Sequence, residues 1–283
     1  VGLGDNALTA TTEGSQNTAS GYGALGANTT GSYNIAIGTD ALDANTTGAS
    51  NVAVGTQSLG ANTTASNNTA VGYASLQANT TGAENTAVGK GSLDSNTTGI
   101  QNVAMGMNAL QANTTGGHNT SIGRESLYNN TTASNNTAVG DNALAANTTG
   151  QNNSAFGNLS LDANTTGGSN VGIGDNALGG NTTASNNTAI GGAALMANTT
   201  GATNTAVGAE ALRYNTTGNS NTALGHNAAQ DTTTGYNITA IGRESLANNT
   251  TGYDNVAVGK GTLITNTTGT RNTGLGTAAL AAN

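Results

Sequence analysis

The chain repeats every seventeenth residue, and the period never slips. From Thr11 onward the unit N-T-T-G-x-x-N-x-A-V-G-x-x-A-L-x-A recurs at Asn28, Asn45, Asn62, Asn79 and onward to Asn266, sixteen units without an insertion or a deletion. Loops ordinarily tolerate changes of length. A period this strict therefore predicts that each residue stacks on its equivalent one layer away, which is how a solenoid is built. Full units fill residues 11–282 and residues 1–10 are a partial unit, giving one uninterrupted array over 1–283. The chain enters mid-unit at Val1, and Asn283 opens a new unit. Because solenoids use polar caps at their ends, the array is expected to be a segment of a longer fibre.

Numbering the unit 1 to 17 from its first Asn makes the chemistry visible in the unit that begins at Asn28. Position 2 is Thr and position 11 is Gly in all sixteen units, and position 7 is Asn except at Ile238. Position 9 is small, as at Ala36, and position 10 is apolar, as at Ile37, except at Ser20. Position 15 is Leu, as at Leu42, except at Ala229. Position 8 is β-branched in fifteen units, so positions 8 to 10 read as a short strand with alternating faces. Gly38 ends it, either in a conformation closed to other residues or to let backbones approach closely. Positions 14 and 15 predict a second short strand or a tight bend. Asn45-Thr46-Thr47-Gly48 is turn chemistry, with side chains bonding local backbone and Gly relieving strain. Asn45 and Asn34, at positions 1 and 7, can also form amide ladders between layers. A helix is excluded, because β-branched residues, Gly and Asn dominate and no 3.6-residue apolar period is present.

Charge marks the surface. Of twenty charged residues, eighteen stand at positions 6, 12, 13 or 16, Glu13 and Asp231 being the exceptions. Burying unpaired charge is costly, so these four positions are expected to face water and the remainder to be buried or stacked. The same composition excludes several functions. Six basic residues spread over 283 cannot neutralise a phosphate backbone, so no nucleic-acid partner is expected. No run approaches a membrane span. Disordered chains carry more charge and more Pro than this one, which has 7% charged residues and no Pro.

Positions 9 and 10 point to opposite faces, yet neither is usually polar, and the same holds for 14 and 15. Small residues then fill a narrow interior while Val, Ile and Leu need a second place to bury, supplied by another copy of the chain. The fold class read from the sequence is thus all-β, a parallel β-solenoid or β-roll of 17-residue coils assembled as a homotrimeric fibre. A dimer or a sheet-like filament satisfies the same argument.

The stretch Asn34-Ile35-Ala36-Ile37-Gly38-Thr39-Asp40-Ala41-Leu42-Asp43-Ala44 resembles the head repeats of trimeric autotransporter adhesins, which are left-handed parallel β-rolls trimerised along the fibre axis. Arrays of N-T-A-V-G and N-T-T-G also resemble the repeat shafts of phage tail fibres and bacterial surface fibres. The resemblance covers the whole chain. It implies an extracellular location, on a cell surface or virion, and a structural shaft that spaces and presents adhesive regions. It also implies self-association as a parallel homotrimer or filament, with a glycan or cell-surface receptor as a further partner.

Catalytic chemistry has no support in the sequence, and no cofactor or metal is expected. Gly21-Tyr22-Gly23-Ala24-Leu25-Gly26 and Gly172-Ile173-Gly174-Asp175-Asn176-Ala177 match nucleotide-binding glycine patterns, but as products of the repeat's fixed glycine. His118 and His226 stand in different units without a second ligand type. Asn-Thr-Thr is an N-glycosylation acceptor pattern in fourteen units, although turn and stacking roles explain the same residues. Tyr22, Tyr33, Tyr73, Tyr236 and Tyr253 could contact glycans on an adhesin surface. Thr columns at positions 2 and 3 suggest an ice-binding solenoid, an idea weakened because adjacent Thr residues of a strand point to opposite sides.

Overall fold

A computed structural model of the chain describes residues 1–282. Positions 8 to 10 are extended in each unit, as in Ile35–Ile37, Val52–Val54 and Thr69–Val71, after a two-residue opening strand at Gly2–Leu3. Each strand pairs in parallel with the one seventeen residues on. Ile35 lies opposite Val52, Ala36 opposite Ala53 and Ile37 opposite Val54. The fold is a parallel β-solenoid of about sixteen 17-residue coils, with no helix among the described residues. Contacts group the chain into two units, Val1–Ala138 and Val139 onward. The first contains the paired strands from Gly2–Leu3 to Thr120–Ile122, and the second those from Ser154–Phe156 to Thr273–Leu275. Asn283, expected to open a further unit, lies outside the described residues.

Strand alternation sends position 9 inward, and Ala36, Ala53 and Ala70 are fully buried. Position 11 then turns the chain. Gly38 has φ of +134°, and a Cβ there would lie 2.6 Å from the backbone carbonyl carbon of Gly55. Both reasons offered for an invariant glycine therefore hold at once.

Positions 12 to 17 form a bend and not a second strand. Asp40 and Leu42 both have left-handed backbone, with φ of 51° and 53°. A left-handed Leu costs about 1–2 kcal/mol. Two things offset that cost: the Leu42 side chain is fully buried, and its N–H donates to the Ser58 carbonyl at 3.0 Å. The turn also directs consecutive Ala41 and Leu42 to the same interior, which no strand could do. This corrects the expectation that Leu is buried by a partner chain. Leu25, Leu42, Leu59, Leu76 and Leu93 are fully buried within their own chain, so the interior is wider than small residues alone implied.

Two amide ladders line the rest of the interior. At position 1, the Asn45 Nδ2 donates to the Asn28 Oδ1 at 2.8 Å and to the Gly48 carbonyl at 3.0 Å. At position 7, the Asn34 Oδ1 accepts from the backbone N–H of Asn51 at 3.0 Å and from its Nδ2 at 3.2 Å. All four residues are fully buried, and the ladders give their polar groups the partners that burial demands. The Thr46 hydroxyl bonds between layers, donating to the Thr63 carbonyl at 3.1 Å. Gly48 has an ordinary φ, so it does not relieve strain; it leaves room beside the Asn45 amide and the Ala65 carbonyl. Ala65, Ala133 and Ala184 fill the same position and stay buried.

The charge map holds for the positions it named and misses others. Positions 6 and 12 are exposed and 13 and 16 half-buried, as at Tyr33, Thr39, Asp40 and Asp43. Positions 3, 8 and 10 also reach water, as at Thr47, Ile35 and Ile37, though the rarity of charge there had placed them among hidden positions.

Candidate functional site

The repeat positions singled out from the sequence do not converge on one site. Asn34, Ala36, Leu42, Asn45 and Gly48 build the interior, Gly38 makes the turn, and the Thr46 hydroxyl is committed to the next coil. Only Ile37 and Thr47 present their side chains outward, from different parts of the coil.

Ile37 belongs to an unusual face. Because positions 8 and 10 flank the inward small residue, the strands show water two columns: mostly Thr, with Val and Ile in five coils, at position 8, and apolar except at Ser20 at position 10. Ile35 is 39% and Ile37 44% exposed, and the column continues through Val71, Met105 and Ile122 in the first unit. In the second unit Phe156, Ile173, Ile190 and Leu224 are exposed in the same way. No charged residue stands at position 8 or 10 in any coil. Parallel pairing keeps the equivalents in register, so the outward side chains form two columns. The residue pattern marks position 10 as needing a partner and marks Leu42 in the same way, because a left-handed Leu leaves no trace in residue type.

An open groove lies beside the position-16 column, lined by Asp40, Asp43, Gln57, Gly60, Gln77 and Ala78 among others. Gly60 leaves the gap between Asp43 and Gln77, and Gln77 donates to the Gln57 side chain at 3.3 Å. Burial pushes the Asp43 carboxyl above its ordinary value of 3.8, and the charge of Asp40 adds to the shift. Burial likewise raises Asp94 and Asp162, which stand at the same position of other coils.

His118 and His226 are each exposed on their own coil, and no group of three His, Cys, Asp or Glu that could hold a metal ion occurs among the described residues. In the two glycine patterns, Gly21 and Gly174 end strands with φ of +140° and +132°. No helix N-terminus follows them to receive a phosphate. Of the tyrosines, Tyr236 and Tyr253 stack at 4.7 Å and 5°, with the Arg271 guanidinium 6.0 Å from the Tyr253 ring. No helix among the described residues is long and apolar enough to cross a membrane. No protein-family model matches the chain, and no curated protein does.

Proposed function

We propose that this chain is the non-enzymatic shaft of an extracellular fibre, on a cell surface or a virion. Parallel copies, three to a fibre, pack through their strand faces and space the adhesive regions the fibre presents. One observation carries this reading: on the strand face position 10 is apolar in fifteen of sixteen coils although it reaches water, position 8 beside it is only Thr, Val, Ile or Ser, and neither is ever charged, whereas exposed positions 6 and 12 accept almost any residue. Water alone gives no reason for that restriction. A second copy does, because aliphatic columns with the same spacing interdigitate along their whole length. At on the order of 60–80 Å² per coil, the eight or so coils of one unit supply roughly 500–650 Å² per partner, enough to clear the ~1,000 Å² total of a specific interface.

The interior supports the same role. Its hydrogen bonds run from coil to coil, so mechanical load along the array is shared by backbone pairing, two Asn ladders and a row of Thr hydroxyls.

The chain has no Cys, so a single Val54→Cys variant tests the packing directly. Parallel in-register copies bring the same residue of two chains together, and mild oxidation is expected to give a covalent dimer. Absence of cross-linking at Val54, and at Val88 in a second variant, contradicts packing through this face.

A further inference from the structure

Fifteen of the sixteen coils carry adjacent threonines at positions 2 and 3 that behave differently. The hydroxyl at position 2 is committed to the fold: Thr63 donates to the Thr80 carbonyl at 3.2 Å, Thr80 to Thr97 at 3.0 Å, and Thr97 to Thr114 at 3.0 Å. The hydroxyl at position 3 is not. Thr47, Thr64, Thr81, Thr98 and Thr115 are exposed, and none makes a side-chain hydrogen bond within the protein.

Exposed positions elsewhere in the coil drift. Position 6 holds Tyr33, Ser50, Glu84, His118 and Arg271, and position 12 is as varied. Position 3 holds Thr in fifteen of sixteen units, the other being Glu13. Preference for a β-branched shape does not explain this. Position 8 shows what such a preference looks like, exchanging Thr for Val or Ile in five units, whereas position 3 never does. Nor does the backbone demand Thr there, since φ is not left-handed at Thr47 or its equivalents. What is kept is a hydroxyl that the fold leaves unused.

We infer that the position-3 threonines are acceptors for O-linked glycosylation. The competing N-linked route is closed in the folded coil. Asn45, Asn62, Asn79 and Asn96 are fully buried, and each Nδ2 donates both to the preceding Asn and to the carbonyl of position 4. The hydroxyl two residues later is exposed. In the transfer a nucleoside-diphosphate sugar supplies the glycosyl group. The Thr Oγ–C1 bond forms, the C1–O bond to the diphosphate breaks, and the hydroxyl proton passes to a base of the transferase. Sugars on this column hydrate a surface that has very few charges of its own. At ~4.8 Å per coil neighbouring sugars touch, so occupancy is expected to stop short of one per coil. Ordering of water into ice is the poorer fit. It needs a two-dimensional array of free hydroxyls, but position 2 is committed and position 8 is interrupted by Val and Ile.

The test is mass spectrometry of the protein isolated from the cells or particles that produce it, with fragmentation that keeps the glycosidic bond, over peptides spanning residues 28–115. The expected result is whole-sugar mass increments on Thr47, Thr64, Thr81, Thr98 or Thr115, lost from the altered sites alone when Thr81→Val and Thr98→Val are made together in the producing cell. Peptides at their unmodified sequence mass overturn the proposal, as do sugars on Asn79, Asn96, Thr80 or Thr97. Thermal hysteresis from an unmodified chain replaces it with the water-ordering reading. None of these outcomes depends on whether the strand faces pack together.

Discussion

Asn215 Oδ1 and Thr232 Oγ1 stand on consecutive rungs of one buried column, and neither has a hydrogen-bond partner. On the rungs before them the ladder is intact, with Asn198 donating to Asn181 at 2.9 Å and Asn215 to Asn198 at 2.8 Å. Thr232 has no amide with which to continue it. Restoring the amide with Thr232→Asn is expected to stabilise the protein by about 1–3 kcal/mol, the cost of leaving a buried polar group unpaired. A rise in the denaturation midpoint of the second unit checks this, and an unchanged or lowered midpoint contradicts it.

The same coil has a second defect. Ile238 replaces the position-7 Asn; its N–H still donates to the Asn221 Oδ1 at 3.0 Å, but it offers no amide oxygen to the next coil. Ala229, just upstream, replaces the interior Leu. Local opening follows the weakest local packing. Amide hydrogen exchange and limited proteolysis are therefore expected to proceed fastest, among interior coils, over residues 229–248. Uniform protection through that stretch contradicts the ladder's importance.

The two kinds of glycine separate by backbone angle, since a Cβ would approach the next coil's backbone at either. At Gly106 φ is +136°, and a Cβ would lie 2.5 Å from the Gly123 carbonyl oxygen. Gly106→Ala is expected to cost roughly 2–4 kcal/mol from combined backbone strain and clash. Gly82→Ala is expected to cost far less, because Ala65 and Ala133 already occupy its position in other coils. Thermal unfolding of the two variants side by side makes the comparison, and equal losses contradict it.

Much of this was legible in the residues alone. A fixed period gave the coils, their parallel register and the buried Asn ladders, because only stacking of equivalents explains an Asn that barely varies. Frequent Asn, Asp and Gly at positions 6 and 13 also fit the left-handed backbone found there, as at Asn67 and Asn108. Leu42 was misread because Leu favours no left-handed conformation, and only tertiary burial holds it in one. Thr47 and Ile37 were grouped with hidden positions because absence of charge looks the same whether a residue faces the interior or a surface kept free of charge.

Acid should help this protein before it harms it. Burial raises the Asp43, Asp94 and Asp162 carboxyls above 3.8, so the folded state holds these protons more tightly than the unfolded chain. Their favourable contribution is complete below 3.8 and is lost as pH rises through the raised values. Lowering pH from 7 towards 4 is thus expected to raise Tm. The triple change Asp43→Asn, Asp94→Asn, Asp162→Asn is expected to raise Tm at pH 7 and flatten the pH profile. A Tm that falls steadily from pH 7 to 4 contradicts this account.

The central claim is that the charge-free strand faces bind other copies of the chain, and molar mass in solution tests it most directly. Light scattering or sedimentation equilibrium is expected to give three times the 27.3 kDa of one chain. Placing Glu at Val71, Met105 and Ile122 is expected to reduce that to a single chain without loss of β-structure. A single-chain mass for the unaltered protein across micromolar concentrations contradicts the account.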